Sequence, residues 1–416
     1  MFIHIENILD LYYRNVKPLY MRNALVLYLC VAWTIFACSS RSEKESTAVP
    51  MDIKYTVEPA PEWTALFKRS KGWFGGDGIF AIPFSGIDGA TDDSVLFLFS
   101  DTMVGEIRDG KLQPGFTMVN NSIMILNGND PAEENSHFRV KETNSKAPAT
   151  LFVPNTTATV SGDYYWLGDG FLNHADDSVY IFAYRIRNTK DSSDFPFEEV
   201  GNSILTFHRD TKFPYQNYKQ VELRFNKENE STHISFGAAV LSNTSSDKTF
   251  SPDGFVYVYG IRGKAKELVA ARVKPDALKN FSRWEFWNGS EWNIDVKNAI
   301  AIADSVSNEL SVTPIGQNQY ALIYQYGGIY PTINMQSGAG PVGPFGPRMK
   351  IWDTTNDIKD PDLFTYNAKA HPAISKPGEL LVSYNVNSFK FFDVIEKKPD
   401  LYRPRFIRII FDQKNK

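Results

Sequence analysis

An all-β fold of radially arranged sheets, a five-bladed β-propeller, is what this sequence predicts, on three observations. From Tyr55 onward there is almost no helical periodicity, and short β-branched and aromatic runs alternate with Gly, Asp, Asn and Pro. Five of these runs read as strong strands: Val95-Leu-Phe-Leu-Phe, Val179-Tyr-Ile-Phe-Ala-Tyr, Phe255-Val-Tyr-Val-Tyr, Tyr320-Ala-Leu-Ile-Tyr and Leu380-Leu-Val-Ser-Tyr. A polar or glycine-containing start and a weaker strand stand upstream of each, so the same unit occurs five times.

The strong runs begin at 95, 179, 255, 320 and 380, which are 84, 76, 65 and 60 residues apart. That spacing is too long for hairpins of one sandwich and suits one four-stranded sheet per unit. In the first unit Gly76-Asp77-Gly78 precedes Ile79–Phe84, and in the second Gly168-Asp169-Gly170-Phe171 opens the repeat. Ser235-Phe236-Gly237 precedes Ala238–Leu241, Asn308-Glu309 precedes Leu310–Ile315, and His371-Pro372 precedes Ala373-Ile374. A large double-sheet sandwich with long loops is the competing architecture.

Composition supports a packed body of this size. Of 416 residues, 43% are hydrophobic and 14% aromatic, enough to bury an ordinary core. Lys and Arg total 44 against 48 Asp and Glu, a net charge of −4. That balance lacks the clustered basic excess of a nucleic-acid binder. The two cysteines, Cys30 and Cys38, lie in the first 40 residues, which excludes a disulfide framework and a thiolate zinc site from the rest.

Residues 24–37 form a 14-residue apolar run between Arg22 and Cys38. A spanning helix needs about 20 apolar residues, so this run fits the apolar region of an export signal instead. The expected organisation is a signal peptide over residues 1–37, a lipidated linker over 38–54 and a β-propeller over 55–416. Met21-Arg22 makes a natural start, and residues 1–20 are then an upstream extension or a misassigned start. Ile35-Phe36-Ala37-Cys38 resembles a bacterial lipobox, which would anchor the mature chain at the cell envelope through lipid on Cys38. An ordinary signal peptide with an incidental Cys38 is the alternative.

In a propeller the starts of first strands and the ends of second strands converge on one face. The first set supplies Asp77, Asp169, Phe236, Glu309 and His371. The second supplies Asp101, Arg185, Arg262, Tyr326, Asn385 and Asn387, and Asn120 and Asn121 join from the third strand of the first unit. Three carboxylates from three units, Asp77, Asp169 and Glu309, would thus face one cavity. Burial and mutual repulsion raise the pKa of one such group, leaving an acid beside a base or nucleophile. Glycoside cleavage needs that pair. Trp63, Trp73, Phe74, Trp166, Tyr326 and Tyr330 are suited to stacking on sugar faces, and Arg185, Arg262, Asn121 and Asn385 to holding hydroxyls.

Each of these residues also has a structural reading. Asp in Gly-Asp-Gly is a common turn residue, Asp101 can brace a loop, Glu309 can pair with an arginine, and His371 can be a packing histidine. The sequence contains no phosphate-binding loop, His-Glu-x-x-His or Gly-x-Ser-x-Gly motif. Asp353, Asp357, Asp360 and Asp362 do not fit a calcium loop, and no metal or cofactor is expected. Gly338–Pro347 reads as a loop over the face or a linker between strands.

Three segments carry a resemblance to a family: Gly72-Trp-Phe-Gly-Gly-Asp-Gly-Ile-Phe-Ala-Ile-Pro, Leu96-Phe-Leu-Phe-Ser-Asp-Thr-Met-Val-Gly and Met118-Val-Asn-Asn-Ser-Ile. They resemble the opening of bacterial five-bladed propeller proteins that include endo-D-arabinanases. His371-Pro-Ala-Ile-Ser and Gly378-Glu-Leu-Leu-Val-Ser-Tyr-Asn-Val-Asn resemble the closing blade of that group, over residues 63–411 in all. The resemblance implies a glycoside hydrolase fold with Asp77 as the first-blade catalytic carboxylate. Asp169 or Glu309 as its partner is a geometric expectation. The reading is therefore a glycoside hydrolase with a carbohydrate substrate, Asp77 as base or nucleophile and Glu309 or Asp169 as acid. The alternative is a non-catalytic glycan-binding lipoprotein that uses the same face.

Overall fold

The computed structural model describes residues 53–91, 93–190, 196–225 and 233–412. The signal peptide 1–37, lipidated Cys38 and most of the 38–54 linker lie outside the described residues. Within them the chain is almost entirely antiparallel sheet, with two short helices, Pro61–Leu66 and Phe391–Ile395.

Among the described residues there are seven sheets, of which five follow one another along the chain. The first has the strands Phe80–Pro83, Ser94–Phe99, Ser122–Asn127 and Ser136–Arg139. The second runs through Tyr164–Asn173, Ser178–Asn188, Phe197–His208 and Lys219–Glu222. The third starts at Ile234–Asn243, Phe255–Arg262 and Glu267–Val273 and adds two short edge strands. The fourth holds Leu310–Gly316, Gln319–Gln325, Thr332–Gly338 and Met349–Asp353. The fifth takes Leu363–Ala370, Glu379–Ser388 and Pro404–Phe411 from the end of the chain and Tyr55–Pro59 from its beginning. That last pairing, Tyr55 opposite Phe411 through Pro59 opposite Ile407, ties the two ends of the described chain together.

The first strand of each sheet packs on the first strand of the next. The series returns to its start where the turn Pro372–Ile374 meets Phe80–Pro83. All five first strands line one cavity of about 80 Å³.

Strand periodicity explains why the strong runs are apolar at every position. Successive side chains point to opposite faces, and here both faces are covered. Leu96 and Leu98 pack against Leu167, Val179 and Ile181 of the second sheet. Their neighbours Val95, Phe97 and Phe99 pack the other way, against Leu381 and Phe406 of the fifth. Phe182 meets Phe236 between the second and third sheets, Tyr259 meets Leu322 between the third and fourth, and Ile323 meets Val382 between the fourth and fifth. Five apolar layers therefore hold five sheets, and each fully buried side chain contributes roughly 1.5–3 kcal/mol.

The strong strands fall where the sequence placed them, but one weaker strand does not. The first strand of the fifth sheet is Leu363–Ala370, and His371-Pro372 closes it instead of opening it. Proline ends the ladder because it lacks an N–H, and residues 372–374 turn as a short 3₁₀ segment. The Gly338–Pro347 stretch joins the third and fourth strands of the fourth sheet. Its Phe345 is buried between the third and fourth sheets, so it covers no face.

Replacing Phe97, fully buried, with Ala is expected to cost about 3–5 kcal/mol in urea denaturation. The same change at Phe392, 57% exposed, is expected to stay within about 0.5 kcal/mol.

Candidate functional site

Irregular backbone in the first strands delivers the charged side chains. Asp77 sits between Gly76 and Gly78, and Gly78 has a φ of +62°. A Cβ at Gly78 would come within 2.5 Å of Ser100 Oγ, so only glycine allows the chain to lie this close to the second strand. The Ser100 N–H donates to the Asp77 carbonyl at 2.8 Å, and the Asp77 N–H to the Asp101 carbonyl at 3.4 Å. Asp77 and Asp101 thereby stand opposite each other at the end of one strand pair. Bulges between Leu167 and Gly170 and between Tyr366 and Lys369 place Asp169 and Lys369 in the corresponding part of their strands. Glu309 lies just before Leu310, where the first strand of the fourth sheet begins.

Asp77 Oδ2 accepts a hydrogen bond from the Tyr366 hydroxyl at 2.6 Å, and the Tyr402 hydroxyl lies beside the same carboxyl. Its Oδ1 is buried without a hydrogen-bond partner. Burial pushes this carboxyl up, while the two phenols and the Lys369 ammonium pull the other way. Asp101 is pushed up to about 7, first by burial and then by the charge of Asp77. Asn120 Nδ2 donates to it at a long 3.4 Å. The Trp166 indole is nearby, although its Nε1 makes no hydrogen bond.

Glu309 Oε1 accepts from Asn367 Nδ2 at 2.8 Å, and its Oε2 meets Lys369 Nζ. Burial raises Glu309 to about 7, against the pull of Lys369. Asp169 is also raised to about 7 by burial, yet both of its oxygens are occupied. They accept the Gly170 N–H at 2.8 Å and the Val240 N–H at 2.7 Å, which ties the second sheet to the third. Lys369, 1% exposed, is the shared cation, and its ammonium lies 4.5 Å from the centre of the Phe80 ring. Asp77, Asp101, Asp169 and Glu309 are thus electrostatically linked, with Asp77 and Asp101 from the first unit, Asp169 from the second sheet and Glu309 from the start of the fourth.

The other expected residues have partners of their own. Arg185 is bound to Asp163 and Glu222 at 2.8 Å each. Arg262 donates to Glu267 at 2.8 Å and to the Ala299 carbonyl at 2.7 Å. Asn121 is fully buried, exchanges two hydrogen bonds with the Phe152 backbone and donates a third to the Tyr165 carbonyl. Asn385 Nδ2 donates to the Gly76 carbonyl at 3.0 Å, which fixes the segment carrying Asp77. Trp73 lies in the core against Phe67, Phe99 and Phe138. His371 shares a 2.7 Å hydrogen bond with Ser383, and burial holds it neutral, well below its usual pKa. Tyr326 and Trp166 are half-buried, Tyr326 against Tyr330 and Arg348, Trp166 against Phe197.

Sequence reasoning missed Lys369, Tyr366, Asn367 and Tyr402. Asn367, at φ +60° inside a strand, was the one legible signal, because Asn tolerates that conformation. Among the described residues no group of three or more His, Cys, Asp or Glu is arranged to hold a metal ion.

Carboxyls that are raised on folding stabilise the protein while protonated. Their contribution is present below about pH 4 and is lost as pH rises to 7. Melting temperature is therefore expected to fall between about pH 4 and 7, and to fall less in Asp101→Asn.

A family model described as "Domain of unknown function (DUF5005)" matches residues 61–412. No curated protein matches the chain in sequence. A crystal structure from Bacteroides ovatus, described as a "putative hydrolase", aligns with a TM-score of 0.66 and 21% identity, over 85% of this chain and 90% of that one. That likeness shows a shared fold. Weaker alignments reach glycoside hydrolases. An exo-β-1,3-galactanase from Phanerochaete chrysosporium gives 0.42 and 10% identity over 80% of this chain and 60% of that one. A xylan β-1,4-xylosidase from Bacillus halodurans gives 0.40 and 9%, over 77% and 50%.

Proposed function

Starting from a chain that belongs to the DUF5005 family, we propose that it is a glycoside hydrolase acting on a polysaccharide or oligosaccharide. The five sheets are read as five propeller blades around the shared cavity, which Asp169 and Lys369 line and Asp77, Asp101 and Glu309 do not. The observation that carries the reading is the neighbouring pair Asp77 and Asp101, two half-buried carboxyls at the end of one strand pair in which the charge of one raises the other. Such a pair holds one proton over a range of pH, so one member is an acid while the other is a base or nucleophile.

Contacts support Asp77 as the carboxylate, since two phenols and a nearby ammonium favour its charged form. They support Asp101 as the acid, since it has no cation partner and a weak donor. The sequence-based expectation gave the acid to Glu309 or Asp169. Glu309 is held by Lys369 and Asn367, and Asp169 by two backbone N–H groups, so both fit a supporting place around the pair. Half-buried Trp166, Tyr326 and Tyr330 are the stacking surfaces nearest to this description. Anchoring at the cell envelope through lipid on Cys38 belongs to the same proposal, and D-arabinan is the substrate that the sequence resemblance favours.

Reducing-sugar release from a panel of plant, host and bacterial glycans, D-arabinan included, tests the proposal. Asp77→Asn and Asp101→Asn are each expected to lower turnover by about 10²–10⁴-fold without loss of folding. In the active protein, turnover is expected to decline as pH rises through about 7, where Asp101 gives up its proton. Glycan binding that survives in both variants with no release from the wild type would support the non-catalytic binding protein instead.

A further inference from the structure

The segment that carries Asp77 is fixed by the fifth sheet at three atoms. Asn385 Nδ2 donates to the Gly76 carbonyl at 3.0 Å, the Tyr402 carbonyl accepts the Gly76 N–H at 2.9 Å, and the Tyr366 hydroxyl donates to Asp77 Oδ2 at 2.6 Å. The last of these has its direction set by a chain of donors. The Ser388 N–H donates to Asn387 Oδ1 at 2.7 Å, which turns the amide nitrogen of Asn387 the other way. That nitrogen donates to the Tyr366 hydroxyl oxygen at 3.2 Å. An amide nitrogen has hydrogens only to give, so the phenol oxygen accepts from it and its own hydrogen goes to Asp77. The Tyr366 ring is held as well, with its centre 5.4 Å from that of Phe364. Asp77 Oδ1, in contrast, is buried and without a hydrogen-bond partner.

We propose that Tyr366 is a positioning residue that gives the two oxygens of Asp77 separate roles: its hydroxyl, with the hydrogen aimed by Asn387, keeps Oδ2 as a permanent acceptor and leaves Oδ1 as the oxygen that takes a proton. This inference rests on the glycosidase reading for its purpose but not for its test. A carboxyl that serves as base or nucleophile works in one orientation, and misplacement costs rate. Two of the three constraints hold the backbone beside Asp77, and the Tyr366 hydrogen bond is the one on the carboxyl itself. A hydrogen bond made to the charged form favours that form, so loss of the hydroxyl makes Asp77 easier to protonate. The groups facing Asp77 are Tyr366 and Lys369 from the first strand of the fifth sheet, Tyr402 from the loop before its third strand, Asp101 from the first unit and Glu309 from the fourth sheet.

Carbon-13 NMR of the full chain labelled at aspartate carboxyls follows Asp77 through pH without any glycan, with Asp77→Asn to assign its signal. In Tyr366→Phe, which keeps the ring and removes the hydroxyl, the Asp77 titration is expected to move up by about 1 unit. Phe364→Leu loosens the packing of the Tyr366 ring and keeps the hydroxyl, and is expected to move Asp77 by less than half as much. The Tyr366 hydroxyl proton in the wild type is a second reading, available should Tyr366→Phe not fold. Donated to the Asp77 carboxyl, it is expected to exchange slowly with water and to shift over the pH range in which Asp77 titrates. An Asp77 titration unmoved in Tyr366→Phe overturns the inference. So does an equal move in Phe364→Leu, which would assign the effect to packing, and so does a hydroxyl proton indifferent to the Asp77 titration. Failure of the glycosidase reading has a different sign: no release of sugar, with the dependence of Asp77 on the Tyr366 hydroxyl intact.

Discussion

Four half-buried or buried carboxyls and one buried ammonium are held close enough to feel one another's charge, and the rest of the structure is arranged around that fact. Taking a carboxylate out of water is costly unless it is paired or neutralised. Here Glu309 is paired with Lys369, Asp169 with two backbone N–H groups, and Asp77 with phenols. Asp101 is the member with least support, and neutralisation by a proton is its cheapest resolution. The cluster is a place where stability has been given up for charge placement, as functional sites commonly require.

That cost is met by the apolar layers between sheets. Each strong strand sends alternate side chains to two neighbouring sheets, so the strand carrying Asp101 at its end is fixed from both sides by Leu98 and Phe99. The pairing of Tyr55–Pro59 with Pro404–Phe411 covers the strand that ends the described chain and ties its two ends into one sheet. The bulges and the Gly76-Asp77-Gly78 turn can then hold unusual backbone without loosening the sheets.

Much of this was legible in the sequence, and the exceptions have physical causes. The strong strands could be read because burial on both faces makes them continuously apolar, as in Val95–Phe99. The weaker strand Leu363–Ala370 could not, since Thr365, Asn367 and Lys369 interrupt any continuous apolar run and the following His371-Pro372 looks like a start. Lys369 in such a strand reads as a solvent-facing residue, and only the bulge after Tyr366 turns it into the interior. Arg185 and Arg262 read as free hydroxyl-binding groups because the carboxylates that occupy them, Asp163, Glu222 and Glu267, lie on neighbouring strands. Asp77 and Asp101 could be singled out by their turns, but their facing arrangement needed the register of the strand pair.

The central claim is that these two aspartates form one proton-sharing unit at the end of one strand pair. A high-resolution crystal structure with a sugar bound measures it most directly, through the distance between the two carboxyl groups across the bound glycosidic bond. The account predicts a separation within about 5–10 Å, the shorter end meaning retention of configuration and the longer end inversion. A sugar seated elsewhere, or carboxyls too far apart to flank one bond, would contradict it.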